Sequence, residues 1–265
     1  MEKLKKQMNN DFKIHLLPEE VKISTITMVC RLPTKFNCSN IATYFPLEYD
    51  GIINIIHGKF GDIKTNRSLI KKKARKNNKK KKKNFFNQTT LIIHVKTKIK
   101  PINVKLFTDG AIQMTGCACV DDIFEILTKV FMELKRKILD DDGNFVNFVG
   151  KVSAIKMNKL SNLKISMINS NFRMPVCIDR QKLYNLLLSE DYYCIYDPVK
   201  HACVNIKYNC SDHQISIFVF EKGAIIITGA LHCGQIAEAY VFINKYILEN
   251  LPKIEKNSLV FLDDL

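Results

Sequence analysis

Phe107-Thr-Asp-Gly110-Ala-Ile112-Gln-Met-Thr115-Gly116 and Phe220-Glu-Lys-Gly223-Ala-Ile225-Ile-Ile-Thr228-Gly229 are two copies of one phrase, F-x-x-G-A-I-x-x-T-G, set 113 positions apart. Ile123 and Glu125 answer to Ile236 and Glu238 at the same offset. An offset this long exceeds a solenoid repeat and matches a small domain half, so the chain reads as two related halves. Within each copy, two alternating strand-like runs flank a glycine, the pattern of a hairpin whose turn needs positive φ. The runs are Ile102–Phe107 with Ala111–Thr115, and Ile215–Phe220 with Ala224–Thr228.

Further upstream, Lys22-Ile23-Ser24 and Lys164-Ile165-Ser166 open two more strand-like stretches at an offset of 142. The first half therefore holds about 29 extra residues, and the lysine-rich block lies in that interval. Each half then reads alike. An opening strand leads to a short helix (38–45 and 180–189). Strands follow at 51–57 and 193–196, and at 89–98 and 202–209. The hairpin comes next, and an amphipathic helix closes the half. Ile123, Leu127, Val130, Leu134 and Ile138 recur at helical spacing behind Asp121 and Asp122, as do Ile236, Tyr240, Ile243 and Ile247. The expected segments are an N-terminal extension (1–19), a first repeat (20–140) with an insertion at about 59–88, a second repeat (150–250) and a tail (251–265). Runs of strands with segregated helices imply an α+β fold, an antiparallel sheet covered on one face.

The formal charge of +15 is unevenly placed. Lys71, Lys72, Lys73, Arg75, Lys76, Lys79, Lys80, Lys81, Lys82 and Lys83 fall within thirteen residues without an acid, and the remainder carries only about +5. Three readings stand: an electrostatic arm for nucleic acid, a nuclear-import signal, or a solvated insertion. The nine cysteines include no C-x-x-C pair and read as reduced apolar fillers, with no metal or cofactor implied. No apolar run approaches a bilayer span, so an intracellular chain without a membrane partner is expected. Walker, H-E-x-x-H and nucleophile-elbow motifs are absent, which argues against an enzyme. Asp140-Asp141-Asp142 follows a helix end and reads as a solvated loop.

The doubled order of these motifs resembles the core domain of the TATA-box-binding protein family. Ile23-Ser-Thr-Ile-Thr-Met-Val-Cys-Arg-Leu32 is similar to its opening strand, V-S-T-V-N-L-G-C-K-L. The hairpins resemble its L-I-F-x-S-G-K-x-V-x-T-G phrases, and Tyr196-Asp-Pro198 its Y-E-P. The resemblance covers about residues 20–250. The lysine insertion followed by Phe85-Phe86-Asn87-Gln88 brings it closer to the divergent relatives in large nucleocytoplasmic DNA viruses. It implies a pseudo-symmetric saddle of two repeats, a curved antiparallel sheet with helices on the convex face. It further implies a transcription initiation factor on AT-rich promoter DNA that bends the duplex through the minor groove. A general transcription factor of the TFIIB type and the RNA polymerase machinery would be its partners. The places implied are the host cytoplasm (viral factory), virion or nucleus. A saddle-fold scaffold with weak DNA binding is the alternative.

By the same resemblance Thr115 and Thr228 fall on the threonines that donate to base acceptors, with plain strand propensity as the other reading. Phe107 and Phe220 fall on wedge phenylalanines, with core packing as the other reading. A second wedge per repeat falls on Phe85 or Phe86, and on His201. Lys96 and Lys207 align with phosphate-meeting strand residues. The family's central strand asparagines fall on Val21 and Ser166, or on Thr25 and Met167 after a slip, with Asn169 nearby but out of register. Gln113 and Lys105 depart from apolar groove-facing positions, so general or altered minor-groove binding is expected rather than strict TATA specificity.

Overall fold

A computed structural model describes residues 1–58, 64–70, 86–95, 100–210 and 213–256. The basic segment 71–83, Phe85, Lys96 and most of the C-terminal tail lie outside the described residues. The chain divides into two units, Met1–Met8 with Ile26–Ile165, and Asn9–Thr25 with Ser166–Leu265. Both are α+β, and both are antiparallel.

The first unit holds β1 (Lys22–Arg31, paired with β6 from Ile26 onward), α2 (Cys38–Tyr44), β2 (Ile52–Gly58), β3 (Lys64–Ser68), β4 (Gln88–Ile93), β5 (Ile102–Phe107), β6 (Ala111–Cys117) and α3 (Val120–Lys135). Its strands lie in the order β3-β2-β4-β5-β6-β1. The second unit holds β7 (Ser161–Arg173, paired with β11 from Ile168 onward), α4 (Arg180–Ser189), β8 (Cys194–Ile195), β9 (Cys203–Asn209), β10 (Gln214–Phe220), β11 (Ala224–Ala230) and α5 (Cys233–Ile254), with strands in the order β7-β11-β10-β9-β8. Three elements differ from the sequence reading. The N-terminal extension contains a helix, α1 (Glu2–Phe12). The inserted region contributes β3, which extends the first sheet past β2. Ile138 lies beyond α3, because Arg136 closes that helix with its N–H on the Glu133 carbonyl, at 3.0 Å.

Alternation along the strands explains the core. Val104, Leu106, Ile112 and Met114 point to one face and are fully buried, as are Ile215, Ile217, Ile225 and Ile227 in the second unit. Ile123, Leu127 and Val130 of α3, and Ile236, Ile243 and Ile247 of α5, are equally enclosed. Burying each such side chain contributes about 1.5–3 kcal/mol. Both closing helices start the same way. The Asp122 carboxylate accepts the Ala118 and Cys119 N–H groups at 2.7 and 3.0 Å, and Gln235 Oε1 accepts the Leu231 N–H at 2.7 Å. These N-terminal N–H groups would otherwise lack partners. Asp122 and Gln235 are also related by the 113 offset.

The two glycines of the repeated phrase do different work. Gly110 and Gly223 turn the hairpins at φ +90° and +70°. A Cβ on Gly110 would sit 2.3 Å from the Thr34 carbonyl oxygen, and one on Gly223 2.1 Å from that of Met174. Gly116 and Gly229, also at positive φ, are skipped in the strand register, Thr27 pairing with Thr115 and Ile26 with Cys117, and likewise Asn169 with Thr228 and Ile168 with Ala230. Each is a β-bulge, which bends the strand and shifts its phase.

All nine cysteines are free thiols, six of them buried. Burial pushes Cys30 and Cys233 up to about 12. Asp140 organises its loop by accepting the Asp142 and Asn144 N–H groups at 3.1 and 2.8 Å, a turn rather than a helix continuation.

Gly110→Ala and Gly223→Ala are each expected to destabilise the chain by more than about 2 kcal/mol, strain and clash adding together. Gly143→Ala, at φ +80° but with nothing within 4 Å, is expected to cost only about 1 kcal/mol. Denaturant midpoints of the three variants check this; equal losses would deny the close backbone approach at the two hairpin turns.

Candidate nucleic-acid interface

Because one face of each sheet is filled by helices, every second strand residue points away from them. In the first unit the register aligns these open-face residues in rows. Thr27, Thr115, Asn103 and Ile92 form one row; Val29, Gln113, Lys105 and Thr90 form the next; Phe107 with Gln88, and Arg31 with Ala111, lie at the hairpin end. In the second unit the rows are Asn169, Thr228, Ser216 and Lys207; then Asn171, Ile226, Phe218 and Asn205; then Arg173 with Ala224, and Phe220 with Cys203. None of these positions carries a carboxylate. These positions are thus a mixture of polar and apolar side chains, and the charges among them are cationic. Such a surface suits a polyanion read at close range and not a cationic ligand.

Thr115 and Thr228 occupy equivalent register positions, half-buried on the open face. The Thr115 hydroxyl lies 3.2 Å from that of Thr27. One of the two donates to the other. The Thr228 hydroxyl donates to the Asn169 Oδ1. That bond leaves the Nδ2 group as the donor of the pair. The bulges at Gly116 and Gly229 place these side chains, since without the skipped residue the core positions Cys117 and Ala230 would turn outward. The expected register of the central residues is corrected here. Asn169 is directly paired with Thr228, and its equivalent at the 142 offset is Thr27. Val21 is instead a buried residue ahead of β1. Ser166, Thr25 and Met167 lie ahead of the stretches of β1 and β7 that pair with β6 and β11, and Met167 Sδ approaches the Thr228 hydroxyl at 3.9 Å.

Phe107 and Phe220 stand half-buried on the open faces, not in the core. Phe107 follows the buried Leu106 and Phe220 the buried Val219, so alternation turns both rings outward. The hairpins set small Ala111 and Ala224 beside them. The positions expected to hold second wedges are equivalent in register. Gln88 pairs with Phe107 and Cys203 with Phe220, so Phe86 and His201 each lie two residues ahead of an equivalent position. Phe86 is 59% exposed. Phe85 lies outside the described residues. His201 is exposed on a turn closed by its N–H to the Asp197 carbonyl at 2.7 Å. The Asp197 carboxyl is lowered from its ordinary value by Lys200 first, then by backbone N–H groups and His201.

Lys207 lies on the open face in the row of Thr228, with Nζ donating to Ser216 Oγ at 2.7 Å. The register gives Ile92 as its first-unit equivalent, while Lys96 lies outside the described residues. The basic residues Lys71 to Lys83 do so too.

Several open-face residues were not singled out from the sequence. Arg31 and Arg173 are equivalent at the 142 offset, and stepping by two from Phe220 reaches Phe218. Arg31 is braced by Asp109, with Nη1 on its carbonyl at 2.9 Å and Nη2 on its carboxylate at 2.8 Å. The Ala111 N–H first, and Arg31 after it, hold the Asp109 carboxyl below the ordinary range. Arg173 is exposed. Counting both offsets through the opening strands would have found the arginines and the Thr27–Asn169 pair. Among the described residues, no three His, Cys, Asp or Glu side chains converge as a metal site requires. No helix among them is long and apolar enough to cross a membrane.

No protein-family model matches the chain. A relative described as TATA-box-binding protein-like, from Acanthamoeba polyphaga mimivirus, is 35% identical over 260 residues, covering 92% of this chain and 69% of the relative. Among solved structures, Methanococcus jannaschii TBP superposes with a TM-score of 0.51, covering 87% of this chain and 99% of that one. At 15% identity this second likeness is one of fold. The doubled phrase, the two-unit architecture and the viral relative agree, and the chain belongs to the TATA-box-binding protein-like family.

Proposed function

We propose that the protein is a transcription initiation factor that binds AT-rich duplex DNA through the minor groove with its open sheet faces, bends it and recruits initiation proteins. The observation that carries this reading is the duplicated pair of a threonine beside a second polar residue and an outward phenylalanine, in strand rows that carry no carboxylate of their own. The minor groove offers mostly acceptors, N3 of adenine and O2 of thymine, which a fixed hydroxyl or amide donor satisfies. Outward aromatic rings at a sheet end are suited to entering between base steps and kinking the duplex. Phe86 would add a ring in the first unit. His201, at the equivalent place in the second, is a weaker wedge, so the kink there should be smaller. The basic segment 71–83 would add phosphate contacts, which are independent of sequence and sensitive to salt. The preference for AT-rich DNA follows from groove shape and deformability as well as from hydrogen bonds.

A second reading has an observation of its own. Met132 on α3, and Val241 and Leu248 on α5, are 66%, 63% and 59% exposed. Apolar groups on the helical side suit protein partners, and would serve equally a scaffold whose DNA binding is weak.

Energy transfer across doubly labelled AT-rich and GC-rich duplexes tests the proposal. Phe107→Ala and Phe220→Ala are expected to reduce the bend while shifting thermal unfolding little, since neither ring is in the core. An unchanged bend would remove the wedge role. Thr115→Val and Thr228→Val, the latter by releasing the Asn169 Oδ1 that the Thr228 hydroxyl holds, are expected to weaken the preference for AT-rich over GC-rich duplexes by about 0.5–1.5 kcal/mol each. An unchanged preference would reduce both to structural residues. Deleting 71–83 is expected to preserve cooperative unfolding and the AT preference. It should lower the slope of log affinity against log salt by about 0.9 for each phosphate that the segment neutralises. Loss of all binding in that deletion would instead favour the scaffold reading, with only the arm touching DNA.

A further inference from the structure

At the hairpin end of the first unit, three stretches of chain meet beside Phe107. The turn after β5 docks on the residues that follow β1, the Leu32 and Phe36 N–H groups donating to the Gly110 and Thr108 carbonyls at 3.0 and 3.2 Å. The connection that follows α3 docks on the same residues, with the Gly150 N–H on the Lys35 carbonyl at 3.0 Å and the Lys151 N–H on Thr34 Oγ1 at 2.9 Å. It then turns twice, at Val152–Ala154 and Met157–Lys159, and returns, Ser161 Oγ donating to the Arg31 carbonyl at 3.3 Å. No residue of this excursion is more than five positions from an anchored one, a reach of about 17 Å at most. It carries Lys151, Lys156 and Lys159, all exposed, and Lys35 is exposed beside its first anchor. Lys35, Thr108, Gly150 and Phe86 line one concavity, which brings the start of the connection next to the exposed ring of Phe86.

The charge of this connection is not spent within the unit. From Gly143 to Ile178 the chain holds no Asp or Glu, and Asp109 at the hairpin turn is engaged by Arg31 and the Ala111 N–H. Among the described residues Lys35, Lys151, Lys156 and Lys159 enter no ion pair. The second unit docks its closing segment in the same way, with the Lys256 N–H on the Cys177 carbonyl at 3.0 Å, but there the ammonium of Lys256 is held by Glu221 at 2.7 Å. Glu221 answers to Thr108 at the 113 offset, so the first unit has no carboxylate at that place. Four exposed ammonium groups without a counter-ion suit a polyanion, and duplex DNA offers a phosphate charge for about every 1.7 Å of its axis. We infer that the duplex, on leaving the first unit's open face past Phe107 and Phe86, sets its flanking phosphates on Lys35, Lys151, Lys156 and Lys159. Such contacts position the duplex and carry no base information. This rests on the minor-groove reading above, and adds to it a phosphate site outside the sheet.

The test is a scan in which uncharged methylphosphonates replace single phosphates along an AT-rich duplex and its flanks, with the full-length protein. The wild type is expected to lose affinity several-fold at phosphates just outside the AT-rich segment. Combining Lys151→Gln, Lys156→Gln and Lys159→Gln should erase those losses. It should also lower the slope of log affinity against log salt by about 0.9 for each lysine that meets a phosphate. A variant with the same loss of charge on α4 and α5, Lys182→Gln with Lys245→Gln and Lys253→Gln, should leave scan and slope as in the wild type. All six side chains are exposed, so both variants should keep the wild-type unfolding midpoint. A connection variant with unaltered scan and slope, or a helix variant that lowers the slope equally, would overturn the inference while leaving bend and AT preference intact. A wild type that neither bends DNA nor prefers AT-rich over GC-rich duplexes would defeat the minor-groove reading, and this inference with it.

Discussion

One face of each sheet is sealed by a helix, and that covering dictates the rest. With α3 and α5 buried against the sheets, the strands must alternate, and the outward residues are left free to be chosen for something other than packing. The repeated phrase follows from this constraint. Its isoleucine enters the core and its first glycine permits a hairpin that runs close to a neighbouring backbone. Its phenylalanine and threonine lie on the open side. Its last glycine absorbs one residue in a bulge, so that the strand re-enters the core in phase. Without that bulge the threonine row and the core residue after it could not both be satisfied.

Duplication makes the two faces alike in frame and free to differ in detail. The frame is held by matched devices: hairpin glycines, bulge glycines, and Asp122 and Gln235 reaching back over the same helix turn. Detail diverges where no packing demand acts. Thr27 answers to Asn169, Lys105 to Phe218, Gln113 to Ile226 and Phe86 to His201. The last three of these exchanges trade a polar side chain for an apolar one or the reverse. Such positions can change with little effect on folding and a direct effect on a ligand, so the differences between the repeats speak to specificity more than to stability.

Much of this is legible in the chain itself. The 113 offset locates both hairpins, and helical periodicity locates α3 and α5 to within a few residues. The outward face of Phe107 and Phe220 is ambiguous in the sequence because a phenylalanine at a strand end serves core or surface equally well. The buried Leu106 and Val219 settle it. The register of Asn169 is not legible because a strand's phase is set by its hydrogen-bonded neighbour and by the Gly229 bulge, and neither is visible in a single strand. The helix at Glu2–Phe12 is hidden because its polar sequence has only a thin apolar stripe, Met8 and Phe12 being its enclosed residues. The strand at Lys64–Ser68 is concealed inside a highly charged insertion, and its place comes from pairing with β2 rather than from its own composition.

The central claim is that the open faces read the minor groove. The most direct measurement compares affinity and bend for an AT-rich duplex and for the same duplex with every A·T pair replaced by inosine·cytosine, which keeps the minor-groove pattern and changes the major-groove one. Minor-groove binding requires the two duplexes to bind and bend nearly alike, with guanosine·cytosine much weaker. Inosine and guanosine duplexes behaving alike, both well below A·T, would contradict it.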